Sequence, residues 1–373
     1  MHYDVIVIGL GANGSSALWH LSKTGKRVLG IDRFQPPHQK GSSHGESRII
    51  RQAYHESPFY VPMVKAAYPI WAQLEKEAAR TLFQRTGGLL LGAPDTAVVQ
   101  GARLSAETHG IPFEWLDAPA IRNRFPAFKP VPGTVGVLEK EAGILYPEEC
   151  IRAFLDLAAR NGAAIHPNEP VIHITPGDAH ITVTTSTATY EAAKCIVSAG
   201  AWIDTLLPEF RLPISVRRQP LFWFGNANEN FLPAKMPIFI WEYEKEKMFY
   251  GFPDIGTGVK LAPHHGGRPI DPDDLKQEVT AAEIDSLAAI AKTYLGFDPV
   301  FRHAQVCMYT NTPDEHFIID LHPAHPNIII ASPCSGHGFK FSSFTGRILA
   351  DLALTGATTF DLSPFQLGRL HRQ

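Results

Sequence analysis

The sequence predicts an α/β protein in which a Rossmann-like domain with a parallel sheet is joined to a second, β-rich domain. Two observations lead to this prediction. The first is an apolar run from Tyr3 to Ile8 that enters a glycine-rich turn and then a helical stretch. The second is a change of character over about 213–308, where short aromatic-rich runs such as Leu221–Phe224 alternate with turns.

The N-terminal unit has the βαβ pattern of a dinucleotide site. Gly9, Gly11 and Gly14 form a G-x-G-x-x-G motif between the first apolar run and the helical stretch. They permit, in that order, a tight turn, close approach of the backbone to a pyrophosphate, and close packing of helix on strand. The amino end of the helix attracts phosphates through its free N–H groups. Asp32 follows a second apolar run and can accept hydrogen bonds from ribose hydroxyls.

Composition excludes several classes of protein. The chain has 373 residues, of which 45% are hydrophobic and 19% charged, which favours two domains with ample core. A formal net charge of -3 leaves no basic surplus for general nucleic-acid binding. No apolar run approaches the ~18 residues of a membrane helix, and the N-terminal run belongs to the first strand rather than to a signal peptide. We therefore expect a cytoplasmic protein without nucleic-acid or membrane partners.

The four cysteines are widely spaced along the chain. Cys150, Cys195, Cys307 and Cys334 form no C-x-x-C pair and no zinc-binding pattern. We therefore expect no disulfide framework and no metal site, as is usual in a reducing compartment.

The remaining elements follow from periodicity and turn residues. The predicted helices are 62–79, 148–161 and 340–354, with an irregular segment over 33–60. The predicted strands include 87–91, 171–174, 181–185, 194–199, 238–241, 248–250 and 327–331. We assign 1–85, 140–212 and 308–373 to the cofactor domain, and 86–139 and 213–307 to the substrate domain.

A second glycine-rich turn narrows the choice of cofactor. The strand at 327–331 enters Gly336–Gly338 and then a helix, so both ends of the chain contribute to one unit. An FAD enzyme needs a second helix dipole aimed at its cofactor, because the isoalloxazine lies far from the pyrophosphate, whereas an NAD dehydrogenase does not. The sequence thus favours an FAD-binding domain of the glutathione-reductase type.

Longer motifs make a family resemblance specific. Together with the N-terminal βαβ unit, they resemble the monomeric sarcosine oxidase family, which also contains N-methyltryptophan and pipecolate oxidases. The motifs are Gly41–Arg51 (GSSHGESRIIR), Cys307–Thr310 (CMYT), Asp314–Pro323 (DEHFIIDLHP) and Ser335–Ser343 (SGHGFKFSS). The resemblance implies a two-domain fold with covalent FAD, and we expect the protein to be a monomer. It also implies oxidation of a secondary amine of an amino acid, with O2 reduced to H2O2.

The resemblance implies how the flavin is attached. Cys307 matches the family's linking cysteine, which forms a thioether to the flavin 8-methyl carbon. Arg48 matches an arginine at the flavin face, and a nearby cation favours the thiolate that this chemistry needs. The other three cysteines lack this context, and we expect them to be ordinary buried thiols.

The resemblance also implies the substrate site. Arg51 and Lys340 match a clamp for the substrate carboxylate, and we expect Arg48 and Arg51 to share one side of a helical turn. Lys260 matches a lysine over the flavin, where we expect it to act on O2. His264, Tyr250 and Tyr309 match further residues of the pocket. The implied catalytic residues are Lys260, Arg48 and His264.

By the same resemblance, the cofactor contacts are widely distributed along the chain. They are Gly9, Gly11, Gly14, Asp32, Arg33, Ser42, Ser43, His44, Arg48, Ile49, Val171, Ala199, Gly200, Trp202, Cys307, Gly336, His337, Gly338, Phe339 and Lys340. The turn at Gly336–Gly338 is expected to stabilise negative charge on the flavin ring.

The chain departs from sarcosine oxidases on one side of the pocket. Ile240 or Trp241 stands where those enzymes have a methionine, and the Glu244–Lys247 turn differs. We expect sarcosine as the substrate, and this departure keeps N-methyltryptophan and a cyclic imino acid such as pipecolate or proline as alternatives. A flavoprotein dehydrogenase with a protein electron acceptor and a catalytically silent FAD-fold binding protein remain the alternatives from other classes.

Overall fold

The computed structural model describes residues 2–177 and 179–371, which form three sheets with helices between them. The strands are β1 (His2–Ile8), β2 (Val28–Ile31), β3 (Arg48–Ile50), β4 (Phe83–Arg85), β5 (Gly88–Gly92), β6 (Glu114–Asp117), β7 (Val135–Glu139), β8 (Gly143–Leu145), β9 (Ala164–His166), β10 (Val171–Thr175), β11 (Ile181–Thr185), β12 (Thr189–Val197), β13 (Ser215–Gly225), β14 (Ile238–Glu244), β15 (Lys247–Phe252), β16 (Val259–His264), β17 (Val300–Asn311), β18 (Ile318–Leu321) and β19 (Ile328–Ser332).

In the described residues, the first, second, fifth and last α-helices were predicted from the sequence, whereas the other four were not. The helices are α1 (Ala12–Ser22), α2 (Tyr60–Ala78), α3 (Ala97–His109), α4 (Ala118–Arg124), α5 (Pro147–Arg160), α6 (Ile203–Leu206), α7 (Ala281–Tyr294) and α8 (Ser342–Thr355). The predicted helix at 340–354 begins with a 3-10 turn, Phe339–Phe341, which leads into α8.

The first sheet is built around β1. Strands β12 and β2 flank β1 in parallel, and β19 continues the parallel arrangement on the far side of β12. Alternate residues of β1 serve two cores: Val5 and Val7 face the helices, while Ile6 and Ile8 pack on the opposite side. A strand buried on both faces explains the continuous apolar run in the sequence, and the Rossmann-like α/β fold is confirmed.

Two strand-to-helix turns lie side by side in this sheet. The turn after β1 leads into α1 and the turn after β19 leads into α8, and the two helices pack on each other. Gly346 of α8 permits a close contact, since a Cβ atom at this position would lie only 2.2 Å from Ser16 Oγ of α1. The amino ends of both helices therefore point toward the carboxyl edge of the sheet, where ligands bind in such folds.

The second sheet has the order β17-β13-β16-β15-β14-β5-β7-β6 and is antiparallel except where β14 meets β5. One face packs on α4 and α7 around aromatic side chains such as Trp241 and Phe249. The other face contributes Ile240 and Tyr250, which are paired in register across β14 and β15. A β-rich unit was expected here, and alternation along these strands separates its core face from its cavity face.

One local expectation was wrong. Arg48 lies in β3, within a small sheet of order β3-β8-β4, and Arg51 follows that strand. The two arginines therefore do not share a helical turn. The segment 33–60 is otherwise free of named strands, and α2 begins at its end.

The boundary predicted between residues 307 and 308 falls inside a single strand. β17 runs through it from Val300 to Asn311. The division into two discontinuous domains remains a proposal. Among the described helices, none combines the length and the hydropathy that crossing a bilayer requires.

Candidate active site

Two adjoining cavities lie at the carboxyl edge of the first sheet. The outer cavity spans about 1170 Å³ and the inner cavity about 910 Å³, counting the space that is open to solvent. Both are bordered by Ala12, Asn13, Ser42 and Ser43, so they form one elongated cleft that begins at α1 and ends against the second sheet.

The glycine motif shapes the floor of the outer cavity. Gly9 has φ +84°, and a Cβ atom there would lie 2.4 Å from the carbonyl oxygen of Ser198. A Cβ atom on Gly14 would lie 1.8 Å from the carbonyl oxygen of Gly9, so only glycine fits. Gly11 differs, because its nearest neighbour would be Ser43 Oγ at 3.8 Å. This leaves an open approach to the first amides of α1, which have no intrahelical acceptors.

Asp32 lies at the far end of the outer cavity. Its carboxylate accepts hydrogen bonds from the backbone N–H groups of Leu10 at 2.7 Å and Phe34 at 2.8 Å. These bonds orient the side chain while it remains in the cavity wall. The other predicted cofactor residues in this wall are Gly9, Gly11, Arg33, Ser42, Ser43, Val171, Ala199, Gly200 and Trp202. An elongated cleft with a phosphate cradle and a terminal carboxylate fits FAD.

Most of the remaining predicted residues line the inner cavity. They are Ser42, Ser43, Arg48, Ile49, Arg51, Tyr250, His264, Cys307, Tyr309, Gly336, His337, Gly338, Phe339 and Lys340. Three predicted residues, Gly14, His44 and Lys260, are not part of either wall. Gly14 lies beneath the motif turn, whereas His44 and Lys260 are buried behind the inner wall.

Cys307 is buried on β17 next to Arg48. Its sulfur lies 3.6 Å from Nη2 of Arg48 and 3.5 Å from the carbonyl oxygen of Ser42. Burial by itself raises the pKa of the thiol, but the neighbouring His44 ring and Arg48 guanidinium outweigh it and lower the pKa to about 7. Cys307 is therefore the cysteine poised to form a thiolate. Cys334 was expected to be an ordinary buried thiol, but it borders both cavities. Burial raises the pKa of this thiol to about 11, so it does not share the thiolate character of Cys307.

Arg51 and Lys340 bring two cations into the inner cavity. Arg51 is only 1% exposed and Lys340 only 5% exposed. Lys340 Nζ donates to the carbonyl oxygen of His337 at 2.7 Å and lies 3.4 Å from the Tyr54 hydroxyl. Burial, aided by the charge of Arg51, lowers the pKa of Lys340 to about 7.

Glu56 is a functional candidate that the sequence did not reveal. It lines the inner cavity, and its Oε2 accepts a hydrogen bond from Arg51 Nη2 at 2.6 Å. Burial alone would raise the pKa of Glu56, yet Arg51 holds it well below the usual range. His55 accepts from the same nitrogen at 2.8 Å. The sequence held one sign of this pairing, namely an acidic residue five positions after Arg51, the predicted anion-binding arginine.

Two further carboxylates, the buried Glu139 and the half-buried Glu148, support the loop that carries these groups. Glu139 accepts from the backbone N–H groups of Gln52 and Ala53, and Glu148 accepts from those of Gly45 and Glu46. Both come from segments about 90 to 100 positions away along the chain. Apart from β3, the segment before α2 is thus held in place without regular secondary structure.

Lys260 occupies a sealed position on β16. Its Nζ donates to the carbonyl oxygens of Gly45 at 2.6 Å and Ser47 at 2.9 Å, and contacts Ser47 Oγ at 3.1 Å. Burial, reinforced by the charge of Arg48, lowers its pKa well below the ordinary lysine value. A Cβ atom on Gly45 would lie 3.6 Å from both Lys260 Nζ and Arg48 Nη1, which places the two cations on either side of that glycine.

The end of the inner cavity that borders the second sheet is aromatic. Tyr250, Tyr309 and His264 line it, and the His264 ring lies 5.9 Å from that of Tyr250 and 6.3 Å from that of Tyr309, measured between centroids. Burial lowers the pKa of His264 well below its usual value, so the ring is neutral. Ile240 faces this space, while Trp241 belongs to the core on the other face of the sheet.

The fold and cleft define a dinucleotide-binding protein, since the site lies at the carboxyl edge of a Rossmann-type sheet. The match to a protein family makes this class more specific. The chain belongs to the FAD dependent oxidoreductase (DAO) family, whose sequence profile matches residues 4–352. It is therefore a flavin-dependent enzyme.

Individual relatives confirm the resemblance found in the motifs. A monomeric sarcosine oxidase from Streptomyces avermitilis is 41% identical, over 99% of this chain and 98% of that protein. An N-methyl-L-tryptophan oxidase from Salmonella heidelberg is 36% identical, over 99% of both chains. The structure of NikD, an unusual amino acid oxidase essential for nikkomycin biosynthesis, is 26% identical and superposes with a TM-score of 0.86, covering 98% of this chain and 97% of that one.

Proposed function

We propose that this protein is an FAD-dependent oxidase of secondary amino acids that demethylates sarcosine to glycine and formaldehyde while O2 is reduced to H2O2. One observation supports it above the others. The inner cavity is lined by three cations, Arg48, Arg51 and Lys340, but by a single carboxylate, Glu56. An anionic group of the substrate is therefore the natural counterion of these cations. The names of the relatives, sarcosine oxidase and N-methyl-L-tryptophan oxidase, indicate N-methyl amino acids as the class of substrate.

The carboxylate of the substrate binds between Arg51 and Lys340. The guanidinium binds bidentately, while the ammonium acts as a point charge. We assign the N-methyl group to the side of the cavity lined by Tyr250 and Tyr309, because an aromatic slot favours a small apolar substituent.

The amine of the substrate has to be neutral for its C–H bond to be oxidised. The positive charge of the cavity lowers the pKa of a bound ammonium and so favours the neutral form. No general base is required at this step. Bound FAD supplies the acceptor for the two electrons removed from the C–N unit, and the resulting imine is hydrolysed by water to glycine and formaldehyde.

Two groups of this chain are assigned to the cofactor. The lowered pKa of Cys307 supplies a thiolate that would hold the flavin through a thioether at its 8-methyl carbon, which we propose as the covalent link. Formation of this S–C bond would remove a C–H proton and two electrons, which would pass to the flavin and from it to O2. The amino end of the 3-10 turn that begins after Gly338 offers N–H groups and a dipole to negative charge on the flavin ring. Lys260 supplies a buried positive charge, which we assign to O2 reduction.

A peroxide assay tests the proposal directly. The purified protein is supplied with sarcosine, N-methyltryptophan, pipecolate, proline and dimethylglycine, and H2O2 and O2 uptake are measured. We expect the highest kcat/KM with sarcosine and one H2O2 for each O2 consumed. Preference for N-methyltryptophan or a cyclic imino acid would reassign the substrate. Flavin reduction without O2 uptake would instead identify a dehydrogenase with another electron acceptor.

A further inference from the structure

Two histidines and one carboxylate meet at the edge of the inner cavity. His55 and Glu56 lie in the loop after β3, and His264 ends β16. Their donor atoms all lie within 4.8 Å of one another. We propose that His55, Glu56 and His264 bind one divalent transition-metal ion, with Zn²⁺ as the best-fitting ion.

The donor set selects the class of metal. Two imidazole nitrogens and one carboxylate oxygen suit Zn²⁺, Ni²⁺ or Cu²⁺, whereas Mg²⁺ and Ca²⁺ prefer all-oxygen sites. Three protein ligands leave the fourth tetrahedral position open. Because Glu56 and His264 line the inner cavity, that position faces the space available to water or a small carboxylate.

The distances are compatible with closure around an ion. Ligands held about 2.1 Å from a tetrahedral zinc are about 3.4 Å apart. His55 Nδ1 and Glu56 Oε2 are already 3.3 Å apart. All three donor atoms lie within 4.8 Å of one another, so His264 has to approach the other two by at most about 1.4 Å. Among the described residues, no hydrogen bond holds the His264 ring in place.

Arg51 competes with the metal for the same electron pairs. Its Nη2 donates to His55 Nδ1 at 2.8 Å and to Glu56 Oε2 at 2.6 Å. A metal ion bound by these two atoms excludes both hydrogen bonds and is also repelled by the guanidinium charge. Metal binding and the Arg51 contacts are thus mutually exclusive, and removing Arg51 strengthens the metal site instead of weakening it.

The first test is metal binding to the flavin-containing protein, measured by equilibrium dialysis against Zn²⁺ alone. We expect one ion per chain, bound in competition with the Arg51 hydrogen bonds. Crystals soaked in Zn²⁺ and measured at the zinc absorption edge should show an anomalous peak among His55, Glu56 and His264. Absence of that peak, or a peak only at a cysteine, would overturn the proposal.

Matched variants locate the ligands. His55→Gln and His264→Gln each remove one imidazole, and both should weaken Zn²⁺ binding at least about tenfold. His265→Gln is the control, because its ring lies 4.1 Å from that of His264 between centroids but outside the cluster. Cys334→Ser controls for the thiol in the cavity wall. Equal losses in His265→Gln and His55→Gln would contradict the assignment.

A third variant should change the Zn²⁺ affinity in the opposite direction, which a nonspecific effect on structure would not do. Arg51→Met keeps the length of the side chain and removes its charge and donors, so Zn²⁺ should bind at least about tenfold more tightly. Weaker binding in Arg51→Met would overturn the proposed competition. Every readout is metal binding to folded, flavin-containing protein, so the result does not depend on which amine the enzyme oxidises.

Discussion

Two buried lysines border the same active site but are placed in opposite ways. Lys340 lies in the wall of the inner cavity beside Arg51, and its pKa is lowered to about 7 by burial and by that charge. Lys260 lies behind the wall, where the backbone oxygens of Gly45 and Ser47 and one hydroxyl occupy its donors. Burial lowers its pKa as well. One lysine faces space for a ligand and the other faces only protein.

The difference indicates two uses of a buried cation. A lysine that faces a cavity can form a direct bond with an incoming anion, so it should affect binding. A lysine whose donors are already used cannot form such a bond, but its charge still acts over several ångströms in a site with little water. It should affect a step in which negative charge develops nearby, and this is the basis of the first prediction.

Replacing Lys260 should give the largest effect. Lys260→Met keeps apolar bulk but removes the charge that stabilises negative charge developing on O2 more than neutral O2 itself. Such a preorganised contact is worth about 2.7–4 kcal/mol, or roughly 10²–10³ in rate. Stopped-flow measurements should show flavin reduction by sarcosine nearly intact and reoxidation by O2 at least ~100-fold slower.

The pH dependence of reoxidation checks the same assignment. Because the pKa of Lys260 is lowered, its charge is present below that pKa and is lost at a lower pH than for an exposed lysine. The reoxidation rate of the wild type should fall as the pH rises, and that of Lys260→Met should be flat. Crippled reduction with normal reoxidation would show that Lys260 acts on the amine.

Replacing Arg51 should give the next largest effect, on binding. Arg51→Ala removes a charge-assisted hydrogen bond worth about 1.5–3 kcal/mol, so the KM for sarcosine should rise by roughly 10- to 100-fold. Steady-state kinetics with sarcosine and with dimethylamine provide the comparison. Equal turnover of these two compounds by the wild type would rule out a carboxylate clamp.

The lowered pKa of Lys340 predicts a smaller effect that depends on pH. Lys340 is cationic below about pH 7 and loses its charge above it, so the affinity for an anion falls as the pH rises through about 7. The affinity for acetate can be measured from changes in the flavin absorbance spectrum. Acetate is suitable because it has a carboxylate but no amine that titrates. The loss should reach up to about tenfold in the wild type and be absent in Lys340→Met. A flat wild-type profile would show that Lys340 keeps its charge.

Replacing Cys307 should change attachment more than stability. Cys307→Ser is a small change in volume, so we expect less than about 1 kcal/mol of destabilisation. Acid-precipitated wild type should stay yellow, with the flavin on a peptide containing Cys307, whereas the variant should release its flavin. Cys195→Ser, at another buried thiol, is the matched control and should retain the flavin. Release of all flavin from the wild type would exclude the covalent link.

Features that depend on neighbours in the chain were predictable from the sequence. The apolar run of β1, the three glycines and Asp32 act within about thirty residues, and each constraint is local: a backbone angle, a missing Cβ atom or a strand buried on both faces. The β-rich character of the second sheet follows from alternation in the same way. Longer motifs indicated the family, which the full-length relatives confirm.

Features that depend on distant segments were decided only by the tertiary structure. The sequence left Ile240 and Trp241 equivalent, and the register of β14 with β15 turned Ile240 toward the cavity. His55 and His264 lie about 200 positions apart, so no spacing pattern predicted that their donor atoms would meet. Both lysines could be named from motifs, but which one faces open space and which is sealed by backbone oxygens depends on how β16 packs against the loop before β3. Periodicity determines which face of a strand a side chain occupies, whereas long-range packing determines what lies opposite it.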